Sequence, residues 1–115
     1  MPRGKAPDDA TLAAGEVLYT VHCATCHMAD GQGEEGLGVP LVGSATVRAA
    51  DPSTLINVVL YGPHLPPGLE VDRSPMKMFG KRLSDDDIAA VLSYVRDRFG
   101  DGAGAVTPEE VARQR

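Results

Sequence analysis

Apolar positions recur at helical spacing in three stretches of the chain. The first covers roughly residues 9–22 and carries Leu12, Ala13, Ala14, Val17, Leu18 and Val21, with Asp8 or Asp9 placed to cap its first turn. Gly15 and Tyr19 fall four apart and therefore share one face. A glycine inside a helix costs about 1 kcal/mol against alanine; it is favoured where a second helix crosses closely, or it is simply tolerated, and spacing leaves both open. The second stretch opens on Asp51-Pro52-Ser53, a capping aspartate with proline at the first helical position. It runs through Leu55, Ile56, Val58, Val59 and Leu60 to a stop at Gly62, and is apolar on most sides, which predicts deep burial. The third opens on Ser84 as cap, with Asp85, Asp86 and Asp87 at the positive end of the helix dipole. It presents Ile88, Val91, Leu92, Val95 and Phe99 on one face and ends at Gly100. A short terminal helix, about 108–114, follows the cap Thr107-Pro108-Glu109-Glu110.

Between the helices the chain is rich in turn formers. Residues 1–9 read as a polar arm, 10–100 as the domain, and 101–115 as an extension that begins with a flexible Gly/Ala link. Glycine (13) and proline (9) make up roughly a fifth of the 115 residues, and the aromatic side chains are three Tyr and two Phe with no Trp. A chain this short buries a modest core. One so rich in loops and poor in aromatics needs another apolar mass at its centre. The formal charge of −5, with basic residues few and scattered, argues against nucleic acid. No apolar run approaches the ~20 residues of a membrane span.

That missing mass is supplied by the motif Cys23-Ala24-Thr25-Cys26-His27, which holds both cysteines of the chain. Cys-x-x-Cys-His is the attachment sequence of a c-type haem. The two thiols on one turn can add to the two vinyl groups along one porphyrin edge, and the histidine that follows then stands under the iron as proximal ligand. A thioredoxin-like redox pair would need a preceding strand, and no strand pattern is present nearby. A zinc site would need two more ligands, and only His22 and the isolated His64 are near enough in type. The glycines of Asp30-Gly31-Gln32-Gly33-Glu34-Glu35-Gly36-Leu37-Gly38 follow no strand and lack the Gly-Lys-Ser/Thr of a phosphate loop. They read as turns that pass around a bulky cofactor.

With these pieces in order, residues 11–100 resemble a class I c-type cytochrome. The resemblance rests on Cys23, Cys26 and His27, on Gly15 with Tyr19, and on Pro40 before Leu41. It rests also on Met76 with Phe79-Gly80, and on Leu83-Ser84-Asp85 opening a helix that carries Tyr94. It implies an all-α cytochrome c fold, with three main helices, a short C-terminal helix and long loops around one covalent haem and its iron. It implies that the first and last main helices cross near Gly15, Tyr19, Val91 and Tyr94. It implies that the Pro40 carbonyl accepts a hydrogen bond from the proximal histidine, which would set the ring's orientation. It further implies a methionine sulfur on the other side of the iron. Met76 occupies that position, although the family's Met-Pro-x-Phe reads Met-Lys-Met-Phe here, so Met78 is an alternative, and His64 or an open site is a further one. Met28 follows His27 directly and cannot reach the opposite face.

The implied work is one-electron transfer with His/Met ligation, without an active site of its own. The layout is similar to cytochrome subunits or domains of bacterial dehydrogenases such as alcohol dehydrogenase. That implies redox protein partners, with a dehydrogenase as donor and an oxidase or cytochrome as acceptor. A ligand sensor or haem enzyme with an open sixth position is the alternative. Attachment of this kind takes place outside the cytoplasm, so a periplasmic protein with an export signal is expected. Met1-Pro2-Arg3-Gly4-Lys5 shows no apolar signal core, and the sequence reads as a mature form or an excised domain. Arg73, Lys77, Lys81 and Arg82 cluster around Met76 on an otherwise acidic chain, a candidate rim for electron-transfer partners or ordinary solvated charge.

Overall fold

A computed structural model of the chain describes residues 5–34, 39–62 and 79–115. Among these residues the regular structure is helical: α1 (Asp9–His22), α2 (Ala24–His27), α3 (Ala45–Arg48), α4 (Ser53–Tyr61), α5 (Asp85–Phe99) and α6 (Pro108–Gln114). The expected helices all form. Two single-turn helices, α2 at the cysteine motif and α3, add to them. No helix among the described residues is long and apolar enough to cross a membrane.

The helix starts follow their side-chain chemistry. Asp8 accepts from the Thr11 N–H at 2.7 Å, Ser84 from Asp87 N–H at 3.1 Å, and Ser44 from Val47 N–H at 3.3 Å. Each satisfies a first-turn donor that has no partner within its helix. At α4 the Asp51 carboxylate accepts from both the N–H (2.9 Å) and the hydroxyl (2.6 Å) of Ser53. The helix therefore begins one residue later than the proline, while the aspartate still serves as its anchor. At α6 Thr107 and Glu110 form a reciprocal capping box.

α1 and α5 form the main helix pair, and they meet at Gly15. A Cβ on Gly15 would lie 2.3 Å from the Ala90 carbonyl oxygen and 2.6 Å from Tyr94 Cβ. The glycine is therefore required by the crossing, which brings one backbone against the other. One turn on, Tyr19 is 1% exposed and packs its ring 5.6 Å from Tyr94 and 5.4 Å from Phe99. Because the contact follows the 15–19 stripe, Val17 and Val21 face outward, each 64% exposed.

α5 is buried on more sides than its apolar pattern suggests. Ile88, Val91, Leu92, Val95 and Phe99 are in the core as expected, but so are Ser93 and Arg96. The reason is the extension, which packs on the remaining face of α5. Ser93 donates to the Val106 carbonyl (3.1 Å) and accepts from its N–H (2.9 Å). Arg96 donates to Ala49 (2.7 Å), Ala103 (2.9 Å) and Gly104 (3.0 Å) carbonyls. The Gly/Ala link expected to be flexible is thus pinned by a buried guanidinium, and Val106 and Val111 join the core. Residues 101–115 add a layer to the domain.

The crossing yields a test of sign. At an open helical site Gly→Ala stabilises by up to ~1 kcal/mol. Gly15→Ala should instead lower the unfolding free energy by roughly 1–3 kcal/mol, because the added methyl forces the helices apart. Guanidinium unfolding of the haem-loaded protein measures it, and a raised midpoint would contradict the close approach.

Candidate functional site: the Cys23–His27 turn

The motif forms where α1 turns directly into α2. The Cys23 N–H closes the last turn of α1 on the Tyr19 carbonyl at 2.9 Å, and the N–H groups of Cys26 and His27 then bond the Cys23 carbonyl at 3.2 and 3.0 Å. Cys23 and Cys26 therefore stand at the start and near the end of one helical turn. Both thiols are free and half-buried. Burial, with the neighbouring Cys26 adding to it, pushes the Cys23 thiol up to about 11. A helix precedes the pair, which is not the strand that a thioredoxin-like site requires. Among the described residues no group of three or more His, Cys, Asp or Glu is placed to hold a metal ion.

The chain leaves this turn through a strained residue. Met28 has φ 66° and ψ 159°, a region occupied almost only by glycine and costing about 1–3 kcal/mol for other residues. Three hydrogen bonds hold it. The Tyr19 hydroxyl donates to the Met28 carbonyl at 2.6 Å, Gly31 N–H donates to the same carbonyl at 3.1 Å, and Gly33 N–H donates to the His27 carbonyl at 2.9 Å. Burial drives the Tyr19 phenol well above its ordinary range, so it stays a neutral donor. Tyr19 thus has two jobs, in the α1–α5 contact and as the brace of the bend after His27. The family resemblance implied only the first.

The His27 ring is oriented from behind. Its Nδ1 lies 2.8 Å from the carbonyl oxygen of Val39. A carbonyl can only accept, so Nδ1 carries a hydrogen, and Nε2 is the nitrogen left to face a metal, the orientation of a metal-ligating imidazole. This corrects the expected acceptor, Pro40. The backbone explains the shift by one residue. Leu41 and Val42 N–H groups both donate to the Gly31 carbonyl, at 2.7 and 3.1 Å. That register turns the Val39 carbonyl to the ring, and Pro40, which has no N–H, leaves the pairing to the residues after it. Gly31 is the pivot. It has φ 70°, and a Cβ there would lie 2.6 Å from Phe99 Cδ1.

The remaining candidates divide sharply. Met76, Met78 and His64, with Arg73 and Lys77, lie outside the described residues. Phe79 is buried and sets its ring edge-on to His22, with centroids 5.6 Å apart, so His22 serves local packing. Lys81 and Arg82 are exposed. Two free thiols on one turn, beside an imidazole held through Nδ1 and backed by the apolar cluster, are the donor set that covalent haem attachment uses.

Such a turn on a helical scaffold defines a c-type cytochrome domain, and comparison with known proteins agrees. Residues 10–95 match the family described as "Cytochrome C oxidase, cbb3-type, subunit III". The chain is 36% identical over 104 residues to the cytochrome c subunit of a quinone alcohol dehydrogenase from Gluconobacter oxydans, a match that covers 89% of this chain and 22% of that protein. It is 35% identical over 115 residues to cytochrome c-552 of Thermus thermophilus, covering 90% of this chain and 85% of that one. Among solved structures, cytochrome cL of Methylophaga aminisulfidivorans superimposes with a TM-score of 0.63 at 24% identity, over 94% of this chain and 68% of that one, which shows the shared fold. The chain belongs to this family of cytochrome c domains, which carry covalently bound haem c with its iron and act as electron carriers. It spans about a fifth of the length of the alcohol dehydrogenase subunit it matches.

Gly31→Ala tests the pivot. A side chain there is strained at positive φ and collides with Phe99, so unfolding should become easier by about 2–3 kcal/mol. Thermal unfolding followed by circular dichroism is the measurement; a change below about 0.5 kcal/mol, the usual range for surface swaps, would remove Gly31 from the scaffold of the site.

Proposed function

We propose that this domain carries single electrons between a periplasmic dehydrogenase and a respiratory acceptor, an oxidase or another cytochrome. The observation that carries the reading is the His27 ring, held through Nδ1 by Val39 and so offering Nε2, immediately after two thiols on one turn. In this reading Cys23 and Cys26 form the thioether links, His27 Nε2 is the proximal iron ligand, and Met76 is the distal one, with Met78 as alternative. When bound, haem supplies the one-electron Fe(III)/Fe(II) couple. The protein's own residues do the rest. Val39 strengthens His27 Nε2 as a donor to the iron by accepting a hydrogen bond from Nδ1–H, and the Tyr19–Met28 bond keeps the imidazole from swinging with the loop. The exposed Lys81 and Arg82 offer an encounter surface for acidic partners beside the distal segment. The matches to dehydrogenase cytochrome subunits support this placement in a chain of redox partners.

Two measurements test the ligand assignments. Protein matured in a host that attaches c-type haem should keep its colour through acid-solvent extraction, with a mass higher than the chain by one haem. Cys23→Ala with Cys26→Ala should give colourless chain that does not fold stably. Extractable haem in the unsubstituted protein would sink the covalent assignment.

The distal ligand is read separately. A methionine–iron bond gives a weak charge-transfer band at the red edge of the oxidised spectrum. Met76→Ala should abolish that band and lower the reduction potential, while Met78→Ala should leave it in place. The reverse pattern would move the ligand to Met78.

A further inference from the structure

The end of α6 grips both margins of the segment that precedes Phe79. Phe79 N–H donates to the Val59 carbonyl at 2.9 Å and Gly80 N–H to Leu60 at 3.1 Å, so the chain resumes alongside the last turn of α4. Arg115, the C-cap of α6, spreads its guanidinium over this point. It donates to the carbonyls of Gly80 and Leu83, the latter at 2.9 Å, and to the Asp85 carboxylate. Gln114 takes the other margin: its side-chain oxygen accepts from Asn57 Nδ2 at 2.8 Å, and its backbone carbonyl accepts from the Tyr61 hydroxyl at 3.1 Å. An exposed Arg–Asp pair by itself stabilises little. Arg115 differs because its planar fork also satisfies two carbonyls of a turn that lies outside any helix. Met76 is three residues before Phe79 and Met78 is adjacent to it.

We propose that Arg115 is a positioning residue for the iron's distal ligand: by holding the Gly80–Leu83 turn it fixes where the ligand-bearing chain begins, and so resists replacement of that ligand by an outside base. This rests on the reading above that an iron ligand lies just before Phe79. Loosening the turn raises the fraction of molecules with the distal ligand off the iron, and a competing base then binds more tightly by the factor by which that fraction rises.

The test is imidazole titration of the oxidised holoprotein. Arg115→Gln should bind imidazole about five-fold or more tightly than the wild type. Arg115→Lys, which keeps the charge but not the fork, should fall between the two. Arg113→Gln, on the same helix, should match the wild type. Amide hydrogen exchange at Arg82 and Leu83, whose N–H groups bond the Phe79 carbonyl, should quicken in Arg115→Gln. An imidazole affinity for Arg115→Gln within about two-fold of the wild type overturns the proposal whatever the methionine variants show, since no population shift has then occurred. Retention of the red-edge band in Met76→Ala overturns the Met76 assignment instead. The imidazole comparison still judges Arg115 in that case, because the base competes with whichever residue holds the iron.

Discussion

The approach of α1 to α5 at Gly15 is the constraint on which the other features depend. Only a missing side chain lets the Ala90 carbonyl and Tyr94 come so near to the α1 backbone. That approach fixes the rotation of α1, and the rotation decides which residues go inward. Tyr19 does, and Val17 and Val21 do not. Because α2 continues from α1 with hydrogen bonds shared across Cys23, the same crossing sets the direction in which the two thiols and His27 leave the helix. Helix packing, a matter of shape and apolar area, is thereby converted into the placement of reactive groups.

Beyond the crossing, the site is held by polar contacts concentrated behind the histidine. A strained Met28 lies where the chain must reverse, and the strain of about 1–3 kcal/mol is comparable with one or two good hydrogen bonds. The Tyr19 hydroxyl and the Gly31 N–H provide those bonds, and the Gly31 carbonyl in turn anchors the segment that offers Val39 to His27. Backbone atoms do most of this work. A carbonyl acceptor orients an imidazole without adding a second titrating group.

The extension beyond Phe99 belongs to the same mechanical unit. Arg96 is 2% exposed, and its three carbonyl partners come from two separate stretches of chain, before α4 and after α5. Removing such a group would leave several buried acceptors unpaired, a larger penalty than the loss of any one surface contact. With Ser93 and Val106 it makes α6 a wall of the core. The outer end of that wall reaches back to α4 and to the turn after Phe79.

Much of this was legible from residue order alone, because its causes are local. Helix caps, glycine stops and the 3.6-residue period act within a few residues, so α1, α4, α5 and α6 could be placed from Asp8, Asp51, Ser84 and Thr107 and the apolar positions after them. Cys-x-x-Cys-His was equally plain, since the chemistry demands three groups within five residues. What the chain order left open had non-local causes. Whether Gly15 was tolerated or required depended on Ala90, seventy-five positions away. The acceptor for His27 depended on how residues 39–42 register on Gly31, and a shift of one residue moves it from Pro40 to Val39. α3 carries too short a pattern to be seen, and forms because Ser44 caps it and Val47 finds a place in the core. The burial of Ser93 and Arg96 could not be read from a helix that looks polar on that side. It was decided by the return of residues 103–106, whose backbone groups pair with both side chains, and only tertiary structure brings those groups within reach.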